Sequence, residues 1–141
     1  SNYYHNELLN NPNSKNALDY LKKRKIDNSI IKEFKIGFVN FNSSIYEKLS
    51  KNYDVKILNE SGLFYYDENK KIYVERFRNR IIFPINSLSG KPMAFGGRII
   101  DTKKRYAKYI NSSFKSFSLN SKKYSSSSRF LYNFRNPSLV S

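Results

Sequence analysis

Arginine at alternate positions is the first pattern in this chain that could do chemistry. In Glu75-Arg76-Phe77-Arg78-Asn79-Arg80 three guanidiniums stand two residues apart. In an extended segment such side chains share a face, so Arg76, Arg78 and Arg80 are expected to project together while Phe77 turns away. Guanidinium pairs bidentately with phosphate oxygens and stacks on bases, so the three would form a phosphate ladder. A solvated strand edge that uses charge against aggregation explains the pattern equally well. Further on, Lys103-Lys104-Arg105-Tyr106-Ala107-Lys108-Tyr109-Ile110-Asn111-Ser112 interleaves cations with tyrosine. Single-strand binders combine stacking rings and phosphate-pairing cations in this way; tyrosines packed into a core are the plainer alternative. Gly96-Gly97 beside Arg98 allows close backbone approach, but it matches neither Gly-rich phosphate loop and reads alone as a turn or bulge.

The bulk composition points the same way and excludes other chemistries. Twenty-six Lys and Arg against 11 Asp and Glu leave a formal charge of +15 over 141 residues. Such a field favours polyanions, nucleic acid first and an acidic membrane surface second. Lysine- and asparagine-rich coding from an AT-rich genome accounts for part of that excess. With no cysteine and His5 as the one histidine, disulfides, thiolate zinc sites, thiol nucleophiles and histidine clusters are excluded. No long apolar run or signal-peptide core occurs, so a cytoplasmic protein is expected. Twelve tyrosines and 11 phenylalanines provide for a core, and the length suits one domain.

The elements that must position these residues follow from capping and periodicity. Residues 1–13 are polar and asparagine-rich and are expected to form a flexible segment or linker. Ser14 opens a helix with Ala17, Leu18 and Leu21 on one stripe, ending in Lys22-Lys23-Arg24-Lys25. Asp27 caps a second helix carrying Ile30, Ile31 and Phe34, after which Ile36 to Val39 turns extended. Ser44 with Glu47 resembles a capping box for a third helix, and Asp54 caps a fourth that stops at Gly62. Leu63 to Tyr66 and Ile72 to Val74 then flank a polar turn as a hairpin. Arg80 to Ile85 and Pro92 to Phe95 flank Ser87-Leu88-Ser89-Gly90. The expected class is α+β, a single domain of short N-terminal helices followed by a small antiparallel sheet. All acidic residues precede position 102. Residues 113–141 are expected to be a basic, Ser-rich tail, with Ser125 to Ser128 reading as flexible linker.

Six blocks, in order and at similar intervals, resemble the N-terminal subdomain of the catalytic core of bacterial DnaG-type DNA primases, over 14–112. They are Tyr20-Leu21-Lys22-Lys23-Arg24, Phe34-Lys35-Ile36-Gly37-Phe38, Glu60-Ser61-Gly62-Leu63, Arg76-Phe77-Arg78-Asn79-Arg80 with Phe83-Pro84-Ile85, Phe95-Gly96-Gly97-Arg98, and Lys108-Tyr109-Ile110-Asn111-Ser112. Leu131-Tyr132-Asn133 follows them in the family's order. The resemblance implies a DNA-directed RNA polymerase, a nucleotidyltransferase that lays RNA primers at the replication fork. Arg24, Arg98, Lys108 and Asn111 match positions around the nucleotide and initiation site. Arg76, Arg78 and Arg80 match the single-stranded template path. The implied partners are single-stranded DNA, RNA primer-template, ribonucleotide triphosphates and, through other regions, a replicative helicase. Two departures stand out. Asn111-Ser112 runs into Ser113-Phe114-Lys115 where the family has Pro-Glu-Thr, with Lys122 or Lys123 standing for a later lysine. The family's Toprim domain, which would hold Mg or Mn, and its zinc-binding domain are not within these residues. This piece is therefore expected to bind no cofactor and to be inactive alone. A free-standing basic RNA-binding module without enzymatic activity is the competing reading.

Overall fold

The computed structural model describes residues 1–101, 105–112 and 126–139. Its centre is a four-stranded antiparallel sheet in the order β1 (Gly37–Val39), β4 (Arg80–Asn86), β5 (Pro92–Ile99) and β6 (Tyr109–Asn111). A separate hairpin pairs β2 (Phe64–Asp67) with β3 (Ile72–Glu75), Phe64 opposite Glu75 and Tyr65 opposite Val74. The expected α+β class is the one observed.

Because β4 is central, its side chains are buried on both faces, and alternate residues feed two cores. Ile81, Phe83 and Ile85 join Leu21, Ile31, Ile36, Leu131 and Phe134 on one side. Ile82 joins Tyr4, Val39, Leu58, Phe64 and Phe77 on the other.

The helices obey their local signals where these are strong. α2 (Lys15–Lys23) and α3 (Asn28–Glu33) bury Ala17, Leu21 and Ile31, and Asp27 Oδ1 accepts from the Ile30 amide at 3.0 Å. Both end in Schellman turns built on lysine, Lys25 at φ 60° and Lys35 at φ 47°. The amides of Ile26 and Ile36 reach back to the carbonyls of Leu21 and Ile31, both at 3.0 Å. α5 (Val55–Glu60) takes its cap from Asp54 and stops at Gly62, φ 71°. α4 (Ile45–Ser50) departs from the expected capping box, since the Ser44 side chain makes no cap bond. The buried Glu75 carboxylate, 30 residues away, accepts from the Ile45 amide and from the Ser43 hydroxyl, each at 2.9 Å. A carboxylate beside a helix N-terminus answers its unpaired amides.

Two expectations are overturned. The segment 1–13 is not a flexible linker: Asn2–Asn10 forms α1, whose Tyr4 and Leu8, one turn apart, are buried. A Cβ on Gly37 would lie 2.6 Å from the Tyr4 backbone, so α1 rests directly on β1. The His5 Nδ1 proton is donated to the Ile36 carbonyl at 2.8 Å, and Ser14 donates to the Glu7 carbonyl at 2.7 Å. The second concerns the supposed tail. Ser126–Arg135 forms α6, packed on β4, with Leu131 and Phe134 buried; Ser126 to Ser128 open a packed helix and are not linker. Burial of Leu131 and Phe134 outweighs the weak helix propensity of serine. Lys103, Lys104, Lys122, Lys123, Ser125 and the stretch 113–125 lie outside the described residues.

Candidate nucleic-acid interface

The arginine run does not form the extended ladder. Residues 76–79 are a turn, with Asn79 at φ 57° and its amide bonded to the Val39 carbonyl at 2.8 Å. Phe77 does point away, into the core. Arg80 is only 5% exposed, and its Nη1 donates to the carbonyls of Gly97 and Lys108, both at 3.4 Å. Burial, then the neighbouring charges of Arg98 and Arg76, lower its pKa. Arg80 therefore ties β4 to β5 and to the segment before β6. Arg76 donates to the Gly62 carbonyl at 3.2 Å, and the Arg78 Nε is buried with no hydrogen-bond partner.

A basin nevertheless gathers all three. It holds about 570 Å³ and is lined by Arg76, Arg78, Arg80, Arg105 and Lys70, by Phe41, Tyr65 and Tyr106, and by two carboxylates, Glu75 and Asp101. The turn aims Arg76 and Arg78 at it from one side, and the β5–β6 connection brings Arg105 from another. Arg80 contributes its floor.

The second group of cations surrounds Tyr20 and Tyr109. The Tyr20 hydroxyl accepts from Arg24 Nη1 and Arg98 Nε, each at 3.1 Å. Arg24 also donates to the Phe134 carbonyl at 2.7 Å and lies over the Phe134 ring, 4.3 Å from its centre. Arg98 lies 5.3 Å from the Tyr109 centroid, and the exposed Lys108 Nζ is 6.0 Å from the same ring. Arg24, at the end of α2, and Arg98 of β5 thus meet at Tyr20, and Arg98 and Lys108 meet at Tyr109. Gly96 and Gly97 make this possible by packing, with neither at positive φ. A Cβ on Gly96 would lie 2.5 Å from Leu131 Cδ2, and one on Gly97 2.5 Å from Phe77 Cδ1. They are strand residues of close approach, not the expected turn or bulge.

Sequence reasoning missed Arg135. Its Nη2 donates to Asn111 Oδ1 at 2.7 Å, and its guanidinium lies 4.8 Å from the Tyr109 centroid. Its Nε is buried without a hydrogen-bond partner, and burial lowers its pKa against the opposing pull of Tyr109. The signal was present in Leu131 and Phe134 at i and i+3, a helical stripe hidden behind the serine run. Among the described residues no carboxylate accepts from Arg24, Arg98 or Arg135; their acceptors are a phenol, an amide and peptide carbonyls. Cations so held retain charge for an outside anion. A shallower hollow of about 450 Å³ shares Tyr20 with this cluster and Asn79 and Asp101 with the basin, so both lie along one surface. Among the described residues no group of three or more His, Cys, Asp or Glu could hold a metal ion. No described helix is long and apolar enough to cross a membrane.

The family model described as the DNA primase catalytic core, N-terminal domain, matches residues 3–136. The DNA primase of Staphylococcus epidermidis is 35% identical over 112 residues, 78% of this chain and 18% of that one. The chain spans about a fifth of the length of the curated relatives it matches. A DnaG primase catalytic domain solved bound to single-stranded DNA superposes with a TM-score of 0.72 at 28% identity, over 83% of this chain and 37% of the other. The RNA polymerase domain of Mycobacterium tuberculosis primase DnaG shares the fold, with a TM-score of 0.74 at 24% identity, over 84% of this chain and 39% of that one.

Proposed function

The chain belongs to the family of the DNA primase catalytic core, N-terminal domain, and from that premise we propose that it holds single-stranded template and ribonucleotide triphosphate for RNA primer synthesis. The observation that carries the proposal is the pair of cation groups on one surface, one edging a basin with aromatic walls and one whose acceptors among the described residues are a phenol, an amide and peptide carbonyls. Arg76 and Arg78, with Arg105, take template phosphates. Arg24, Arg98 and Lys108 take the triphosphate, and Asn111, its oxygen held by Arg135, presents its amide nitrogen as a donor. Phosphoryl transfer depends on positioning and on neutralising charge spread over phosphate oxygens, which these residues supply. A single-stranded-DNA complex of a structural neighbour supports the template assignment.

Primer synthesis also calls for divalent ions held by carboxylates. Among the described residues no group of His, Cys, Asp or Glu side chains fits such a site. The Mg or Mn is assigned to the Toprim domain that the resemblance implies, so these 141 residues alone are proposed not to polymerise. The helicase partner is likewise assigned to other regions.

The test is fluorescence anisotropy of a labelled single strand across a salt series. Arg76→Ala with Arg78→Ala should weaken binding and reduce the slope of log K against log salt by about 1.4, two phosphates at roughly 0.7 each. Unchanged affinity and slope would remove both residues from the template path. Tighter binding of a folded RNA hairpin than of single-stranded DNA would favour the RNA-binding module.

A further inference from the structure

We propose that Phe41, Tyr65 and Tyr106 form a nucleobase-stacking platform in the basin, so that the strand is gripped by its bases as well as by its phosphates. The inference rests on the template reading of the basin and adds a second, uncharged contact to it.

The three rings come from separate segments and meet at one place. Phe41 sits in the turn after β1, Tyr65 in the middle of β2, and Tyr106 in the β5–β6 connection. They are 65%, 50% and 51% exposed, and none belongs to either core cluster. The pairing of β2 shows why core formation does not account for Tyr65. Its neighbours Phe64 and Tyr66 turn to the other face, where they meet Tyr46 and Tyr73 at ring-centre distances of 5.1 and 5.0 Å. Tyr65 shares its face with Val74, toward the basin. Among the described residues none of the three rings is paired with another aromatic. Large exposed rings clustered in a concavity mark a binding surface more than a scattered surface does.

The surrounding charge decides the occupant. Lys70, Arg76, Arg78, Arg80 and Arg105 outnumber the two carboxylates of the lining, Glu75 and Asp101, and the Arg105 guanidinium lies 5.5 Å from the Tyr106 centroid. An apolar peptide would gain nothing from these cations, whereas a single strand offers flat faces and phosphates at short, regular intervals. A volume of about 570 Å³ lies in the range of small-ligand sites, large enough for a base. Stacking of this kind is sequence-tolerant, because every base has a π-face.

The experiment compares two labelled 12-mers, oligothymidine and an abasic strand of the same length, with the whole chain. The wild type should bind oligothymidine more tightly than the abasic strand. Phe41→Ala, Tyr65→Ala and Tyr106→Ala should each weaken binding of oligothymidine by roughly tenfold and leave the abasic strand unaffected. The triple variant should bind both strands equally, with an unchanged salt slope and a native melting curve. Equal binding of the two strands by wild type would overturn the platform while leaving the template reading standing. A proportional loss on both strands would overturn it as well, since the rings would then act only through the fold. Failure of wild type to bind either strand would remove the template reading and the platform together, whereas Arg76→Ala with Arg78→Ala tests the phosphate contacts separately.

Discussion

Tyr20→Phe removes a single oxygen, and that oxygen holds two arginines. It accepts from Arg24 Nη1 and from Arg98 Nε, each at 3.1 Å, and so bridges α2 to β5. The ring stays in place, keeping the Arg98 guanidinium 5.4 Å from its centre. A buried hydrogen bond to a charged group contributes about 1.5–3 kcal/mol. Arg24, Arg98 and Tyr20 are all half-buried, and the freed N–H groups regain water, so about 0.5–1 kcal/mol per bond is the fitting figure. The variant should lose roughly 1–2 kcal/mol, which lowers the urea midpoint by roughly 0.5–1 M at the slopes usual for small proteins. The two guanidiniums also lose their common angle, so calorimetric binding of a ribonucleoside triphosphate should weaken by roughly fivefold or more, about 1 kcal/mol. An unchanged midpoint together with unchanged triphosphate affinity would refute the argument, because Tyr20 would then orient neither arginine.

Two further outcomes follow from the packing and the charges. Leu131→Ala should cost about 2–5 kcal/mol and speed amide exchange along α6, while the exposed Tyr132→Ala stays within about 0.5 kcal/mol of wild type; slow exchange at positions 126–135 in Leu131→Ala would contradict the docking of that helix. Burial raises the Glu75 pKa above its ordinary value, against bonds from Ser43 and Ile45 and the charge of Arg78 that lower it. The folded state then binds the proton more tightly than the unfolded chain. Wild type should therefore lose stability relative to Glu75→Gln as pH rises from the ordinary carboxylate range through the raised value. A gain over that window, followed by chemical denaturation, would show that the bonds and Arg78 outweigh burial.

Local features were readable from the residues themselves. Asp27 and Asp54 cap the helices they precede, and the β2–β3 hairpin closes around Asp67, which accepts from the amides of Asn69 and Lys70 at 3.0 Å. What escaped were effects set by distant partners. The α4 cap comes from Glu75 and not from Ser44, because a buried carboxylate at the helix start outcompetes an adjacent hydroxyl. Strand alternation placed Arg80 beside Arg76 and Arg78, yet Asn79 in the left-handed region reverses the chain and sends Arg80 between β5 and the segment before β6. α1 and α6 were hidden by asparagine and serine, since each needs only two buried apolar side chains to dock. Of the four residues matched to the nucleotide site, Arg98 and Lys108 lie at Tyr109, Arg24 lies at Tyr20 and Phe134, and Asn111 is held by Arg135, which lay in a segment read as tail.

The bond from Arg24 to the Phe134 carbonyl joins residues 110 apart, and that from Arg98 to Tyr20 joins residues 78 apart. Contacts of such sequence separation bear the largest loop-closure entropy and form late. During synthesis the described strands and the first five described helices emerge by residue 111, with the residues lining the basin already made. The cluster proposed for the triphosphate has to wait for the ribosome to release α6, which carries Arg135. The cluster proposed for the triphosphate is therefore closed later than the basin proposed for the template, and a chain cut before Leu131 would lack the helix that brings Arg135 to Asn111 and Tyr109.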